Sequence, residues 1–365
     1  MDDLALDQTT YEFSALEGKY SQFMAPAFKI LVKGVNLQEK GMAISQIFVD
    51  TSMDSKADSV SFDIVNAFKE ETGGFQWVDE HFALGNTVEV HLGYVDKLRK
   101  VFYGLLTKVE FSYTVDDIPR LTVVAMDHSF LMMKGAKTNC WQDKKHSEVA
   151  KLIGAKYLSE FQIDDTSQQI PFIVQSNLED FRFLAWMAGE NDYDFFVKGR
   201  TLYFQKRFKN TTPVMTLALG RGLHSLTMEA NLSSQVSKVI VRGWCEQTHT
   251  IEEGTAEEIQ KLGSGKTSMD MIKLLGDYTT EYVQANVASK DEATKKAGAI
   301  LNRRAMQLLT GEGETVGLPE LQAGRYIKFE GLGNAFTNPF YLHSVSHSLN
   351  ESGFVTQFGV RGNVL

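Results

Sequence analysis

The chain has 365 residues, of which 43% are apolar and 23% charged, and its formal net charge is -9. That length carries two or three domains with cores of their own, while the acidic balance speaks against nucleic acid as a partner and leaves room only for a local basic patch. Two cysteines, Cys140 and Cys245, lie far apart without CxxC spacing, which argues against a disulfide framework or a thiolate zinc site.

The start, Met1-Asp2-Asp3-Leu4, lacks the basic residues and apolar core of a secretory signal. No apolar run approaches the roughly 18 residues that suggest a membrane span. The expectation is synthesis in the cytoplasm and no membrane span. Residues 1–26, with Tyr11, Phe13, Tyr20 and Phe23, read as an arm that packs on the body or on a neighbour.

From Phe28 the pattern becomes strand-like. Phe28, Ile30 and Val32 alternate with Lys29 and Lys33, and Val60, Phe62 and Ile64 repeat the pattern, so one face is buried and the other wet. Thr87 to Leu92 follows the turn at Gly85-Asn86. Val101 to Tyr113 and Leu121 to Met126 follow in turn, with Asp116-Asp117 and Pro119 as a hairpin connection. Short antiparallel strands of this kind suggest a barrel or sandwich.

Over residues 146–160 the period changes. Val149, Ala150, Leu152, Ile153 and Tyr157 recur at helical spacing. A second helix covers about 178–190, with Asn177 as N-cap and Glu179 and Asp180 in its first turn. Its apolar stripe is Phe181, Leu184, Ala185, Met187 and Ala188. Tyr193 to Val197, a turn at Lys198-Gly199-Arg200, and Thr201 to Phe204 form a tight hairpin. Strand patterns return at 214–218, 223–229 and 236–244. Residues 250–310 read as mainly polar and helical, with Ala288 to Leu309 the clearest helix, and 321–361 as short strands.

Two stretches echo each other. Gly85-Asn86-Thr87-Val88-Glu89-Val90, Val101-Phe102-Tyr103, Lys108-Val109-Glu110 and Leu121-Thr122-Val123-Val124 parallel a second series. That series is Gly324-Arg325-Tyr326-Ile327-Lys328-Phe329, Pro339-Phe340-Tyr341, Ser344-Val345-Ser346 and Val355-Thr356-Gln357-Phe358. The glycine stands 17 residues before the Phe-Tyr pair in the first and 16 in the second. Each reads as a three-stranded meander, and the repeat implies one small module present twice.

The segment Gln175 to Phe204 resembles the phage late control gene D family, which includes the hub portion of type VI secretion spike (VgrG) proteins. The resemblance rests on Leu178 to Ala185, Tyr193-Asp194-Phe195-Phe196 and Gly199-Arg200-Thr201-Leu202. Val239 to Trp244, Phe102-Tyr103-Gly104 and the stretch from Gly311 to Asn363 add to it. It implies an α+β, mainly β chain: an N-terminal arm over 1–26, a first antiparallel β-barrel over 27–135, and a small α/β domain over 136–212. A second, similar barrel over 213–365 carries a helical insertion at about 250–310.

The implied function is a structural baseplate hub of a contractile, phage tail-like injection system. Three copies form a homotrimer whose six look-alike barrels adapt a hexameric tail tube to a trimeric spike. The implied partners are the tail tube protein, a spike protein or C-terminal spike domain, and other baseplate proteins. No nucleic acid is expected as a specific ligand. Spike-type relatives continue past the hub, so the spike is either a separate chain or an extension beyond Leu365. Two other readings stay open: a tail-associated enzyme acting on cell wall, and a module binding sugar or nucleic acid.

No residue stands out as catalytic, cofactor-binding or metal-ligating. Gly263-Ser264-Gly265-Lys266-Thr267 invites a phosphate-loop reading, but Gln260 stands where that motif needs glycine and no buried strand precedes it. A flexible connection between helices explains it better. His343 and His347 lie on a strand pattern, which separates them by about 13 Å. Asp116-Asp117 and Asp164-Asp165 read as turn residues, since adjacent side chains on a strand diverge. The aromatics of 193–204 read as core and interface filling.

Overall fold

Ile30 and Val32, Val60, Phe62 and Ile64, and Val88, Val90 and Leu92 are all buried, and each alternation is a strand. The computed structural model describes residues 4–6, 8–115, 118–245, 248–272, 280–333 and 336–365. A short helix, α1 (Phe13–Lys19), precedes β1 (Pro26–Val32), β2 (Val35–Asn36), β3 (Ile44–Ser52) and β4 (Ser59–Ile64). The two-residue strands β5 (Phe68–Lys69) and β6 (Gly74–Phe75) and the single turn α2 (Val78–His81) follow. Then come β7 (Thr87–Tyr94), β8 (Lys97–Ser112) and β9 (Arg120–Met126). The six long strands pair in the order β1-β7-β8-β9-β4-β3. The expected hairpin connection at Asp116-Asp117 lies outside the described residues.

An α/β unit comes next: α3 (Ser129–Met132), β10 (Lys137–Lys144), α4 (His146–Gly154), β11 (Glu160–Ile163), β12 (Ile170–Leu178), α5 (Asp180–Glu190), β13 (Tyr193–Lys198) and β14 (Thr201–Lys206). Two small sheets, β10-β12 and β11-β14-β13, close around Phe181, Phe183, Leu184, Met187, Leu202 and Phe204. Trp141, Phe183 and Trp186 stack in series at 5.6 and 5.5 Å. Asn177 is not the N-cap of α5. Glu179 is, and Asn177 sits two residues back in β12 with a positive φ of 48°. The helix starts later because Asp180 is fixed by Lys137 at 2.6 Å, Tyr157 at 2.7 Å and Gln175 at 2.9 Å. On α4, Leu152 departs from the expected stripe and is exposed.

The second module begins with β15 (Pro213–Leu219) and β16 (Gly222–Ala230). An insertion follows: β17 (Lys238–Cys245), β18 (Thr250–Ala256), α6 (Ser268–Ile272), β19 (Thr280–Gln284) and α7 (Lys290–Ala305). It corrects the expectation of a mainly helical 250–310. The run at 236–244 belongs to a separate sheet, β18-β17-β19, with α7 packed across it through Ala293, Ala297 and Leu301. Its Gly254 lies under α7, where a Cβ would fall 2.0 Å from Thr294 N. The helix itself is set by local chemistry. The Ser289 side chain accepts from Glu292 N, the Glu292 side chain accepts from Ala288 N, and Arg303 and Arg304 occupy the last turn.

The module resumes with β20 (Leu309–Val316), β21 (Tyr326–Glu330), β22 (Phe340–Asn350) and β23 (Gly353–Gly362). Its strands pair in the order β15-β21-β22-β23-β20-β16, and a short β15–β16 contact closes them into a six-stranded barrel. The chain is thus mainly β, as expected. One detail differs: β15 runs parallel to both β21 and β16, whereas its counterpart β1 is antiparallel to β7.

The two modules are the same fold. Numbered along the chain, the strands of each lie in the order first-fourth-fifth-sixth-third-second. Gly85 N donates to Leu106 O and Gly324 N to Leu342 O, both at 2.8 Å. Asn86 O and Arg325 O accept in return from Leu106 N and Leu342 N. Bulges fall at matching places, Thr107 with His343 and Ser45 with His224. These landmarks shift part of the sequence alignment. Leu106 matches Leu342, so Phe102-Tyr103 and Phe340-Tyr341 are not counterparts, while Lys108-Val109-Glu110 does match Ser344-Val345-Ser346. In the sixth strand Val124 matches Gly359, one residue off the alignment read from sequence.

Gly85 and Gly324 hold φ of 90° and 93° at the same turn, a region closed to most side chains. Gly85→Ala and Gly324→Ala are each expected to cost about 1–2 kcal/mol. Gly324→Ala is the costlier, because its Cβ meets Leu6 and Met53 at 3.2 and 3.3 Å while that of Gly85 meets nothing within 4 Å. Urea denaturation of the two variants checks this, and unchanged midpoints contradict it.

Candidate functional site

For a chain without an evident chemical centre, the functional features are the surfaces that join its parts and those left unjoined. The two modules are joined by an antiparallel ladder between β3 and β22, in which Ile47 to Ser52 pair with Leu349 to Ser344. Ile47, Val49, Val345 and Leu349 are buried along it, so one core runs through both modules. Thr51 and His347 are also buried, and His347 Nδ1 lies 2.9 Å from Thr356 Oγ1. Burial pushes the His347 imidazole down to about 4, so it stays neutral and serves the core.

The N-terminal segment seals the other side of the joint. Tyr20 lies 5.3 Å from Tyr94, and Tyr94 5.6 Å from Phe354. Tyr94 Oη donates to Gly317 O at 2.9 Å. Tyr20 Oη donates to the buried Glu320 carboxylate at 2.6 Å, and Lys19 pairs with the same oxygen at 2.9 Å. Tyr11 N donates to Val214 O at 2.7 Å. The segment therefore packs on the body, one of the two placements expected for residues 1–26.

A charged pair fastens the α/β unit to the first module, and a hydrogen bond to a charged cluster fastens it to the second. Lys198, on β13, reaches Asp58 of the first module at 2.6 Å, with side chains only 6% and 8% exposed. Burial pushes the Asp58 carboxyl up while the Lys198 ammonium pulls it down. Asp58 Oδ1 also accepts from Ser52 N, and Asp58 N donates to Asp127. Such a pair adds little net stability, but neither member can be left alone without a large cost, so it fixes orientation. Arg207 bridges Asp192 at 3.1 Å and Asp194 at 3.2 Å, and Tyr341 Oη donates to Asp194 at 3.4 Å.

Where these parts meet lies a cleft of about 420 Å³ lined by Asp54, Trp186, Glu190, Arg207, Arg303 and Tyr341. Asp54 spans the modules. It accepts from both Arg361 nitrogens at 2.9 Å and lies 3.0 Å from His343 Nδ1. Partial burial raises its carboxyl, and the His343 and Arg361 hydrogen bonds outweigh that, bringing it down to about 2.

Among the strand edges left without a strand partner in the described residues, one on each module is long. Past Leu106, β8 pairs only with β9, so Thr107 to Ser112 have a free side. Past Leu223, β16 pairs only with β20, so Ser225 to Ala230 have one too. Both edges carry apolar side chains at every second position. On β8 and just beyond it these are Val109, Phe111 and Tyr113, the last two 45% and 62% exposed. On β16 they are Leu226, Met228 and Ala230.

The residues singled out in the sequence do not assemble into a centre. Gly263 to Thr267 is no phosphate loop. It links β18 to α6 and docks on the chain's last residues, Lys266 and Leu365 exchanging backbone hydrogen bonds at 2.8 and 2.9 Å. It does not lie between helices, because 257–262 forms no helix. His343 and His347 share β22 but turn to different partners, Asp54 and Thr356. Asp164 meets Lys209, and Asp165 meets Lys145. Tyr193, Phe195, Val197, Leu202 and Phe204 fill the α/β core, while Phe196 and Tyr203 stack at 4.7 Å on the other face. Among the described residues no group of three His, Cys, Asp or Glu gathers as for a metal. No helix there is long and apolar enough to cross a membrane.

Among known protein families, the model described as Alg8 N-terminal domain matches residues 24–351. No curated protein matches the chain in sequence. Among solved structures, the 43 kDa tail protein of prophage MuSo2 from Shewanella oneidensis is similar with a TM-score of 0.70 at 13% identity, over 92% of this chain and 98% of that one. A tail protein from Neisseria meningitidis MC58 gives 0.68 at 13% identity, over 92% and 96%. An E. coli component of the type VI secretion system, described as structurally similar to the T4 bacteriophage tail proteins gp27 and gp5, gives 0.54 at 11% identity, over 92% and 76%. The chain therefore carries a fold seen in phage tail proteins and in a type VI secretion component.

Asp54 contributes stability that is present above the unfolded carboxylate range, near 3.9, and lost as pH falls toward 2. Its side chain is 44% exposed, so solvent screening limits the contribution to about 1 kcal/mol. Asp54→Asn is expected to flatten the acid limb of stability between pH 4 and 2 by that amount, as measured by urea unfolding at stepped pH. An unchanged limb contradicts the role given to the Asp54-His343-Arg361 cluster.

Proposed function

We propose that this chain, which belongs to the Alg8 N-terminal domain family, is a structural hub of a contractile, tail-like injection baseplate, of the kind the late control gene D resemblance implies. Three copies form a ring of six similar modules. The ring seats a hexameric tube on one side and a trimeric spike on the other. The observation that carries this reading is the duplication itself: two modules of one strand order, with matching bulges and matching glycine turns, held by a ladder in one chain. A threefold assembly can offer six comparable seats only if each subunit supplies two.

The tail-protein fold supports the same reading. So does the character of the joints. The Asp58-Lys198 pair, the Arg207 cluster and the Tyr20-Tyr94-Phe354 aromatics hold orientation between parts, as a load-transmitting ring requires. The α/β unit and the β17-β18-β19-α7 insertion stand outside the duplicated pair and are free to differ in their contacts. The partners are a tube protein, a spike chain or spike domain, and neighbouring baseplate proteins, and the part is an assembly component without a catalytic role. Its place is the baseplate of a phage tail or a released injection particle.

Light scattering after gel filtration is expected to give the mass of three chains at high protein concentration. A monomer that persists at high concentration and in the presence of tube and spike proteins contradicts the proposal.

A further inference from the structure

The joint inside one chain is a template for the joint between chains. β3 is the second strand of its module and β22 the fifth of the other, and they pair side by side. The remaining second strand is β16 and the remaining fifth strand is β8. Each carries a long edge that has no strand partner among the described residues. Resting on the hub reading above, we propose that β8 of one chain pairs antiparallel with β16 of the next, in the register that β22 and β3 use, so that three chains close into one continuous ring of sheet.

The register follows residue by residue from the shared bulges. Lys108 stands for Ser344, and Val109, Glu110, Phe111, Ser112 and Tyr113 stand for Val345, Ser346, His347, Ser348 and Leu349. On the other strand Thr227 stands for Phe48, because each lies opposite the matching residue of its third strand, Glu312 and Ser61. The internal pairs Val345 with Thr51, His347 with Val49 and Leu349 with Ile47 then become Val109 with Ala230, Phe111 with Met228 and Tyr113 with Leu226. All six are apolar and fall on one face, the face that in the internal joint is core. The intervening pairs, Lys108 with Asn231, Glu110 with Glu229 and Ser112 with Thr227, fall on the wet face. Glu110 faces Glu229, an unfavourable pairing. Lys108, which already pairs with Glu110, lies on the same face one pair along and offsets the repulsion.

The two edges are not paired with each other in this chain, whose modules already meet at β3 and β22. An interface whose two sides differ propagates head to tail and closes where the rotation permits. Free edges this long otherwise invite uncontrolled pairing. Each carries a charge on the wet face, Glu110 or Glu229; a slip of one residue turns every apolar side chain outward, and a slip of two leaves one apolar residue of each strand without its partner.

The test uses disulfides in the full chain, with Cys140→Ser to remove the exposed thiol while Cys245 stays buried. Ser112→Cys and Thr227→Cys are exposed substitutions, and the proposed pairing puts their Cα atoms within disulfide reach. Mixing the two chains, each with one introduced cysteine, under mild oxidation is expected to give a covalent dimer that neither chain gives alone, and a chain with both is expected to give a covalent trimer. Ser112→Cys mixed with Asn231→Cys, four residues out of register, is expected to stay uncrosslinked. If light scattering shows a trimer but Ser112→Cys and Thr227→Cys do not link, or Asn231→Cys links in place of Thr227→Cys, the register is wrong while the hub reading stands. If the chains stay monomeric, both fall together.

Discussion

The ladder between β3 and β22 is the constraint on which the rest depends. Backbone hydrogen bonds set its direction and spacing, and buried Ile47, Val49, Val345 and Leu349 set its register. Two separately folded modules could sit at any angle. Two modules that share a sheet cannot, because the strand spacing and twist of the ladder dictate where the second lies relative to the first. The aromatic contact of Tyr94 with Phe354 and the Glu320 carboxylate under Tyr20 and Lys19 then close the opposite side, so the joint resists bending in both senses.

Duplication with divergence explains the division of labour. The common part is the six-strand order with its paired bulges and glycine turns. What differs is what was inserted. The first module carries a small β5-β6-α2 excursion between its third and fourth strands, and the second carries a whole sheet and helix between its second and third. The insertion reaches back to the α/β unit through Asn302 with Asp192 and Lys296 with Glu190, both at 2.8 Å. The parts outside the duplicated pair therefore form a connected girdle, with charged and polar contacts where the modules have strand pairing.

Much of this was legible in the sequence. The meanders from Gly85 and Gly324 declared themselves by alternation and turn residues, and α5 with its hairpin by a change of period followed by Lys198-Gly199-Arg200. The alignment between the meanders was legible only in part. Phe102-Tyr103 and Phe340-Tyr341 look alike, yet they stand four and two residues before the leucines that bond the glycine turns. Side-chain likeness does not report backbone register. The sheet β18-β17-β19 was hidden because Thr250 to Ala256 is polar and lies across a helix rather than in a deep core, so period-2 burial is weak there. The β3–β22 ladder had no local signal at all, since it joins residues almost three hundred positions apart. Of the polar joints, Lys198 and Asp58 are ordinary turn and loop residues in sequence, and only burial marks them.

The central claim is that one chain supplies two equivalent sectors of a ring. An electron-microscopy projection of the assembled protein down its symmetry axis tests it most directly. The account predicts an inner ring of six near-equal lobes around an open centre, with threefold modulation confined to the periphery where the α/β unit and the insertion lie. Three inner lobes, or six at irregular spacing, contradict it.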